Sequence, residues 1–421
     1  MEGFLLFQAL LISLILLIDW YCFQAVKSLT SVSISSRKKL IIQIYWGFTI
    51  FTILVFLSAN IIPFFKWAPY IRNPLFGLIT MVYVSKLMIV LFLLIDDIIR
   101  LVKWTYGFLP DIFHRSVSPD YPDKKGISRS QFLVTSGTVV SLLPFATMFY
   151  GMTRGGYNYE YIEKNIRIPG FPKAFEGLRI VQISDLHAGS ITRAGAISEV
   201  IEKVNSYKPD AIFFTGDIVN HLASELDRFV PYLRQLSAPM GIYSVLGNHD
   251  YGEYIRWDSE EEEEENFRGI IEKQEQMGWK VLRDENQLLE KNGEKIAIAG
   301  VENWSAVGNF QRYGDLKKAL QGTEDVGAIL LLSHDPSHWD GQILKDFPQV
   351  GMTFSGHTHG WQFGSSNPAF RWSPVQYIYK YWMGHYQVGN QQLYVNRGLG
   401  FTAFSGRVGM SPEVTIFDFY G

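Results

Sequence analysis

The stretch Leu178-Arg179-Ile180-Val181-Gln182-Ile183-Ser184-Asp185-Leu186-His187 decides how the rest of the chain is read. It opens with the β-branched and apolar side chains of a short strand and stops at two groups able to ligate a metal ion. The layout recurs four times. Ala211–Thr215 leads into Gly216-Asp217, residues 242–246 into Gly247-Asn248-His249-Asp250, residues 328–333 into His334, and Val350–Ser355 into Gly356-His357-Thr358-His359. Between the first two runs, Ile197, Val200, Ile201 and Val204 carry helical spacing, so the pattern predicts a strand-helix-strand unit. Polar residues at the C-terminal ends of strands are where open α/β sheets build their sites.

Coordination chemistry explains these residue types. Carboxylate, imidazole and amide oxygen suit borderline divalent cations such as manganese, iron or zinc. Two such ions can lower the pKa of a water enough to supply hydroxide at neutral pH, and can clamp phosphoryl oxygens. Strand alternation would point Asp185 and His187 to one side so that they share a metal, and the same geometry lets His357 and His359 feed two metals from one short loop. Gly216, Gly247 and Gly356 permit tight backbone turns beneath the ligands.

Asp-x-His, Gly-Asp, Gly-Asn-His-Asp, an isolated His and Gly-His-Thr-His, in that order from about residue 168 to 419, resemble the calcineurin-like metallophosphoesterase family, and within it a subgroup of membrane-anchored bacterial phosphodiesterases. The resemblance implies an α/β fold, a β-sandwich flanked by helices in four layers (αββα), and an enzyme that hydrolyses phosphomonoesters or phosphodiesters. It also implies two divalent ions. Asp185, His187 and His359 would hold the first, Asn248, His334 and His357 the second, and Asp217 would bridge them. His249 would sit near the phosphate and protonate the leaving alkoxide or stabilise the transition state. Asp250 is expected either to orient that imidazole or to belong to a surface loop. Where members of the subgroup usually read Gly-His-Thr-His-Gly-Gly-Gln, this chain has Trp361 in place of the second glycine. Asn248, Trp361 and Arg397 are candidate substrate contacts, with loop packing for Trp361 and a structural ion pair for Arg397 as the competing readings.

The 421 residues leave room for more than one folding unit. A net charge of -3 gives no global pull toward nucleic acid, so none is expected as a partner. The single cysteine, Cys22, excludes a disulfide within the chain. Composition splits the sequence into an all-α membrane part, 1–152, and a phosphoesterase domain, 153–421. Residues 4–26, 40–62, 75–99 and 132–152 are each long and apolar enough to cross a bilayer core. Lys27, Arg37, Lys38 and Lys39 follow the first span, and Arg100, Lys103, Arg115, Lys124, Lys125 and Arg129 follow the third, against Lys66 and Arg72 after the second. Positive loops stay in the cytoplasm, so this bias predicts a multi-pass protein with its C-terminal domain outside, in a bacterial cell membrane if the resemblance holds. Ser128-Arg129-Ser130-Gln131-Phe132-Leu133 resembles a twin-arginine export signal lacking its second arginine, a layout that would also serve as a signal anchor. Lys86, Asp96 and Asp97 could mark an ion path, although the pair lies near a span's end and a single lysine can snorkel or find a partner.

Several other residues invite over-reading. His221 and His338 lie near ligands in sequence but off the motif positions, His385 has no assignment, and Ser259 with the glutamates 260–265 reads as a solvated, mobile loop rather than a calcium site. The aromatic segment 363–386, with Arg371 and Lys380, would suit a headgroup region and hence a lipid-linked phosphoester, or would pack within the domain. Two rivals remain. One is a UDP-diacylglucosamine-type pyrophosphate hydrolase, which needs a cytoplasmic site. The other is a non-catalytic metal-binding regulatory domain of a membrane transporter or sensor.

Overall fold

A computed structural model describes residues 2–31, 33–106, 129–308, 310 and 312–421. Arg115, Lys124, Lys125 and Ser128, used above for topology and export, lie outside these residues. The chain divides into two compact units, Met1–Ala68 with Pro74–Phe149, and Pro69–Asn73 with Tyr150–Gly421.

Four apolar helices supply the first unit: α1 (Glu2–Leu29), α2 (Ser35–Ser58), α3 (Pro69–Tyr106) and α4 (Arg129–Thr153). All four are long and apolar enough to cross a membrane. At 38 residues α3 is about 57 Å long, well beyond a hydrocarbon core of about 30 Å, so part of it must project into water or headgroups. Lys86 is not a lone charge. It forms an ion pair with Asp19, whose carboxylate also accepts hydrogen bonds from Thr49 Oγ1 at 2.7 Å, Tyr83 Oη at 2.8 Å and Tyr45 Oη at 3.2 Å. Asp19 is wholly buried, and the Lys86 ammonium lies 4.4 Å from the Tyr83 ring centroid and 4.9 Å from that of Tyr45. The carboxylate is thus surrounded by a cation and hydroxyl donors, which is the arrangement of a structural lock between helices rather than of an open ion path.

The second unit holds two six-stranded sheets. The first runs β1 (Glu160–Arg167), β12 (Glu413–Tyr420), β2 (Leu178–Ile183), β3 (Ala211–Thr215), β4 (Ile242–Val245), β5 (Lys280–Val281). The second runs β10 (Gly384–Val388), β11 (Gln391–Val395), β9 (Val350–Ser355), β8 (Ala328–Leu332), β7 (Glu294–Gly300), β6 (Glu285–Lys291). Strands β2 to β5 are mutually parallel, as are β7, β8, β9 and β11. Alternation along these strands sorts the core into three layers. Ile180, Phe213, Leu330, Met352 and Phe354 meet between the sheets. Val181, Ile212 and Phe214 face outward onto α5 (Ala194–Ser206) through Ile197, Val200, Ile201 and Val204, with the short α6 (Val230–Leu233) adding Leu233. Ile329 and Leu331 of β8 face a second outer layer with Trp339 and Ile343. This is the helix-flanked sandwich that the resemblance implies.

The glutamate run does not form a loop. It opens α7 (Glu260–Gln276), where Ser259 caps the helix by accepting from the Glu262 amide at 3.2 Å. Free amides and the helix dipole favour negative charge in a first turn, which offsets the mutual repulsion that the sequence suggests.

Removing one partner of the buried membrane pair strands a charge. Asp19→Asn or Lys86→Met alone is expected to destabilise the helical unit by about 3–5 kcal/mol, and the double variant by less than the sum. Unfolding of the wild type and the three variants in matched detergent would measure the coupling.

Candidate metal centre

The loops after β2, β3, β4, β8 and β9 bring all seven sequence-assigned ligands together. His187 Nε2 lies 3.0 Å from His359 Nε2, His359 Nε2 lies 3.4 Å from Asp185 Oδ1, and His187 Nε2 lies 3.5 Å from Asp217 Oδ2. On the other side, His334 Nε2 lies 3.2 Å from each of Asp217 Oδ2, Asn248 Oδ1 and His357 Nδ1. One oxygen, Asp217 Oδ2, therefore belongs to both groups. Donors around a tetrahedral ion with bonds of about 2.0–2.1 Å stand about 3.3 Å apart, so the spacing fits two ions with a shared carboxylate.

Local hydrogen bonds fix which atom each ligand presents. His334 Nδ1 bonds to Thr215 O at 2.7 Å, which turns Nε2 toward Asp217. Asn248 gives its amide hydrogen to Tyr254 Oη at 2.7 Å and keeps Oδ1 free. His357 bonds through Nε2 to Tyr379 Oη at 2.7 Å, with Asp335 Oδ2 at 3.6 Å, leaving Nδ1 for the centre. His359 Nδ1 sits 3.2 Å from the fully buried Arg407 guanidinium. Asp335, Tyr379, Tyr254 and Arg407 escape sequence reasoning. Asp335 directly follows a ligand, a signal that could have been used, but nothing in the sequence joins Arg407 to His359.

Electrostatics also fit a cation. Burial pushes the Asp185 carboxyl up to about 7 and holds His187 and His359 well below the usual imidazole range. Burial likewise pulls on His334, but the Asp217 and Asp185 carboxylates outweigh it and raise its pKa to about 10. Buried carboxylates that draw positive charge onto a neighbouring imidazole are the surroundings a divalent cation suits.

His249 extends the cluster. Its amide donates to Asp217 Oδ1 at 2.9 Å, and its Nδ1 bonds to Asn220 O at 2.9 Å. With His357 it is partly exposed, whereas the other ligands are buried.

The contacts of three further expectations can be followed in the structure. Asp250 neither orients the His249 ring nor lies on a surface loop. It is fully buried, and its oxygens accept from the amides of Gly247, Asp217 and Ile218 at 2.9 Å and of Val219 at 3.2 Å, which ties two ligand loops together. Arg397 makes the ion pair of the competing reading: it is buried, ion-paired to Glu413 and, at 2.8 Å, to Glu160. Nor does strand alternation arrange the ligands. Asp185, His187, Asp217, His357 and His359 all have positive φ, between 46° and 72°, so each loop turns sharply just past its strand.

Trp361 is 52% exposed beside this last turn, its amide donating to Thr358 O at 2.7 Å. The aromatic segment divides. Val375, Tyr379, Trp382 and Met383 pack with Met410, while Phe370, Tyr377 and Ile378 are exposed. His221 lies beside His249, ring centroids 5.9 Å apart. His338 bonds to Ser333 and Gln342, and His385 to Gln392, outside the ligand set.

Close packing makes two substitutions informative. A Cβ at position 356 would lie 2.2 Å from Asp185 Oδ2 and 2.1 Å from Ser184 Oγ, so Gly356→Ala is expected to displace Asp185 and weaken manganese binding at least about 10-fold, measured by titration calorimetry. Arg397→Ala strands Glu413 and is expected to cost about 3–5 kcal/mol in denaturant unfolding, with KM little changed in the folded fraction.

Comparison with known proteins agrees with this geometry. The family described as calcineurin-like phosphoesterase matches residues 178–361, and one described as probable calcineurin-like phosphoesterase, transmembrane domain, matches residues 3–156. The chain is 34% identical over 280 residues to the metallophosphoesterase YkuE of Bacillus subtilis, covering 62% of this chain and 89% of that protein. It is 28% identical over 286 residues to a transmembrane protein with metallophosphoesterase domain from Danio rerio, covering 66% of this chain and 61% of that one. It is 29% identical over 278 residues to the UDP-2,3-diacylglucosamine pyrophosphatase of Chlamydia muridarum, covering 54% and 80%. With this sequence likeness, the paired ligand groups and four membrane-spanning-capable helices, the chain belongs to the calcineurin-like phosphoesterase family, as a membrane-bound, metal-dependent phosphoester hydrolase.

Proposed function

We propose that Asp185, His187 and His359 hold one divalent ion, that Asn248, His334 and His357 hold a second, and that Asp217 bridges them in an enzyme acting on lipid-linked phosphomonoesters or phosphodiesters at the outer face of a bacterial cell membrane. The observation that carries the metal reading is Asp217 Oδ2, which lies within 3.5 Å of His187 Nε2 and 3.2 Å of His334 Nε2, one from each group. Manganese, iron and zinc all suit these ligands. When bound, the ion pair supplies a nucleophile at neutral pH and neutralises charge on the phosphoryl group.

The chain's own residues would do the rest. His249 and His357 form the open side, so the phosphoester approaches past them. The Nδ1 bond to Asn220 O fixes the His249 ring, and Nε2 delivers a proton to the leaving oxygen. Asn248, held by Tyr254, and Trp361 at the rim are the contacts available for substrate orientation. Exposed Phe370, Tyr377 and Ile378, in one segment with Arg371 and Lys380, favour a substrate with an acyl or prenyl portion. The basic loops after the first and third helices support an extracytoplasmic site.

Likeness to the Chlamydia pyrophosphatase favours a second reading, hydrolysis of a nucleotide-sugar lipid pyrophosphate at a cytoplasmic site. A C-terminal reporter active only outside the cytoplasm separates the two: signal is expected, and its absence would favour the pyrophosphatase.

For the chemistry, full-length protein with manganese is expected to hydrolyse an aryl phosphodiester, and lipid phosphates faster. Asp217→Asn and His249→Ala should each lower kcat by at least about 100-fold. Undiminished turnover in both variants would refute the assignment.

A further inference from the structure

The loop carrying His187 is held from outside the sandwich by the amino-terminal end of α3. Pro69–Asn73 form part of the same compact unit as the phosphoesterase domain. Within it, Arg72 Nη2 donates to Gly189 O at 2.7 Å, while Asn73 Nδ2 donates to Gly189 O at 3.2 Å and to Ser190 O at 2.8 Å. Asn73 is 6% exposed and Gly189 is buried, so these bonds are shielded from water.

The contacts continue in both directions toward the chemistry. Ser190 Oγ donates to His187 O at 2.7 Å, which joins the tether to the ligand itself. On its amino side Gly189 meets an anion, since its amide donates to Glu225 Oε2 at 3.1 Å. A Cβ at position 189 would lie 2.5 Å from the Glu225 carboxyl carbon, so only glycine admits that carboxylate. The same Glu225 oxygen accepts from the Asn220 amide at 2.6 Å, and Asn220 O receives His249 Nδ1. One residue, Gly189, therefore has a guanidinium on its carbonyl and a carboxylate on its amide, and the carboxylate leads on to the proposed proton donor.

We infer that Arg72 and Asn73 are positioning residues for the hydrolytic site, and that the end of a membrane helix thereby completes the setting of His187 and His249. This rests on the metal-site reading above. Neither residue touches the ligand atoms, so both act through the 187–190 loop and the Glu225–Asn220 link. Partners that orient ligands are commonly worth about 10–100-fold in metal affinity or activity.

The test uses full-length protein in detergent as wild type, Arg72→Ala, Asn73→Ala, the double variant and Arg72→Lys. Amide hydrogen exchange over residues 187–190 is followed without added metal, manganese affinity by electron paramagnetic resonance, and turnover of an aryl phosphodiester at saturating manganese. In the double variant, exchange is expected to rise at least about 10-fold, and manganese affinity or kcat to fall about 10–100-fold with KM changed less than about 3-fold. Arg72→Lys should recover part of the loss. Unaltered exchange in the double variant overturns the proposal, as does faster exchange with affinity and kcat at wild-type level. The single alanine variants give the same two readings if the double variant does not fold. Asp217→Asn, run alongside, reports on the metal site alone: its failure to impair turnover sinks that reading, while exchange still judges the tether.

Discussion

The second unit is organised around one carboxylate. Asp217 presents Oδ2 to histidines from both sheets, takes the His249 amide on Oδ1, and gives its own amide to Asp250. An anion in so dry a setting persists only with cations or strong donors around it. Much of the surrounding structure supplies them: His334 rotated by Thr215, amides aimed from neighbouring loops, and the glycines at 216 and 247 that let backbone approach within contact distance. The sandwich brings the C-terminal ends of two parallel strand sets to one place, and the tight turns past those ends do the aiming.

The clustering of these side chains could be read from sequence because two independent physical patterns coincide there. β-branched runs mark the strands, and carboxylate, imidazole and amide at their ends mark coordination. The roles of Asp250 and Arg397 could not be read this way. Each is a motif neighbour whose function depends on what faces it across the fold: four backbone amides for Asp250, two glutamates for Arg397. Sequence separation hides Arg407, Tyr379 and Arg72 more completely, since their partners are met only after the sheets assemble. The acidic start of α7 misleads for a different reason. Repulsion is visible in composition, while the compensating cap and free amides exist only once the helix forms.

In the helical unit the same rule appears without a metal. Asp19 and Lys86 would be costly in an apolar interior singly, and the fold surrounds them with hydroxyls and aromatic faces until each is compensated. A lysine and an aspartate 67 positions apart give no pairing signal in a linear reading, so span prediction finds the helices but not what registers them.

Five residues of the cluster hold the backbone in the left-handed region, where a non-glycine residue costs of order 1–3 kcal/mol, a sizeable fraction of a domain's usual net stability of about 5–15 kcal/mol. The turns that aim the ligands thus draw directly on the margin that keeps the domain folded. Cations that bind only the folded chain return that margin by mass action. With metal bound, folding and loading would become one equilibrium, so the supply of metal would set how much of the chain is folded.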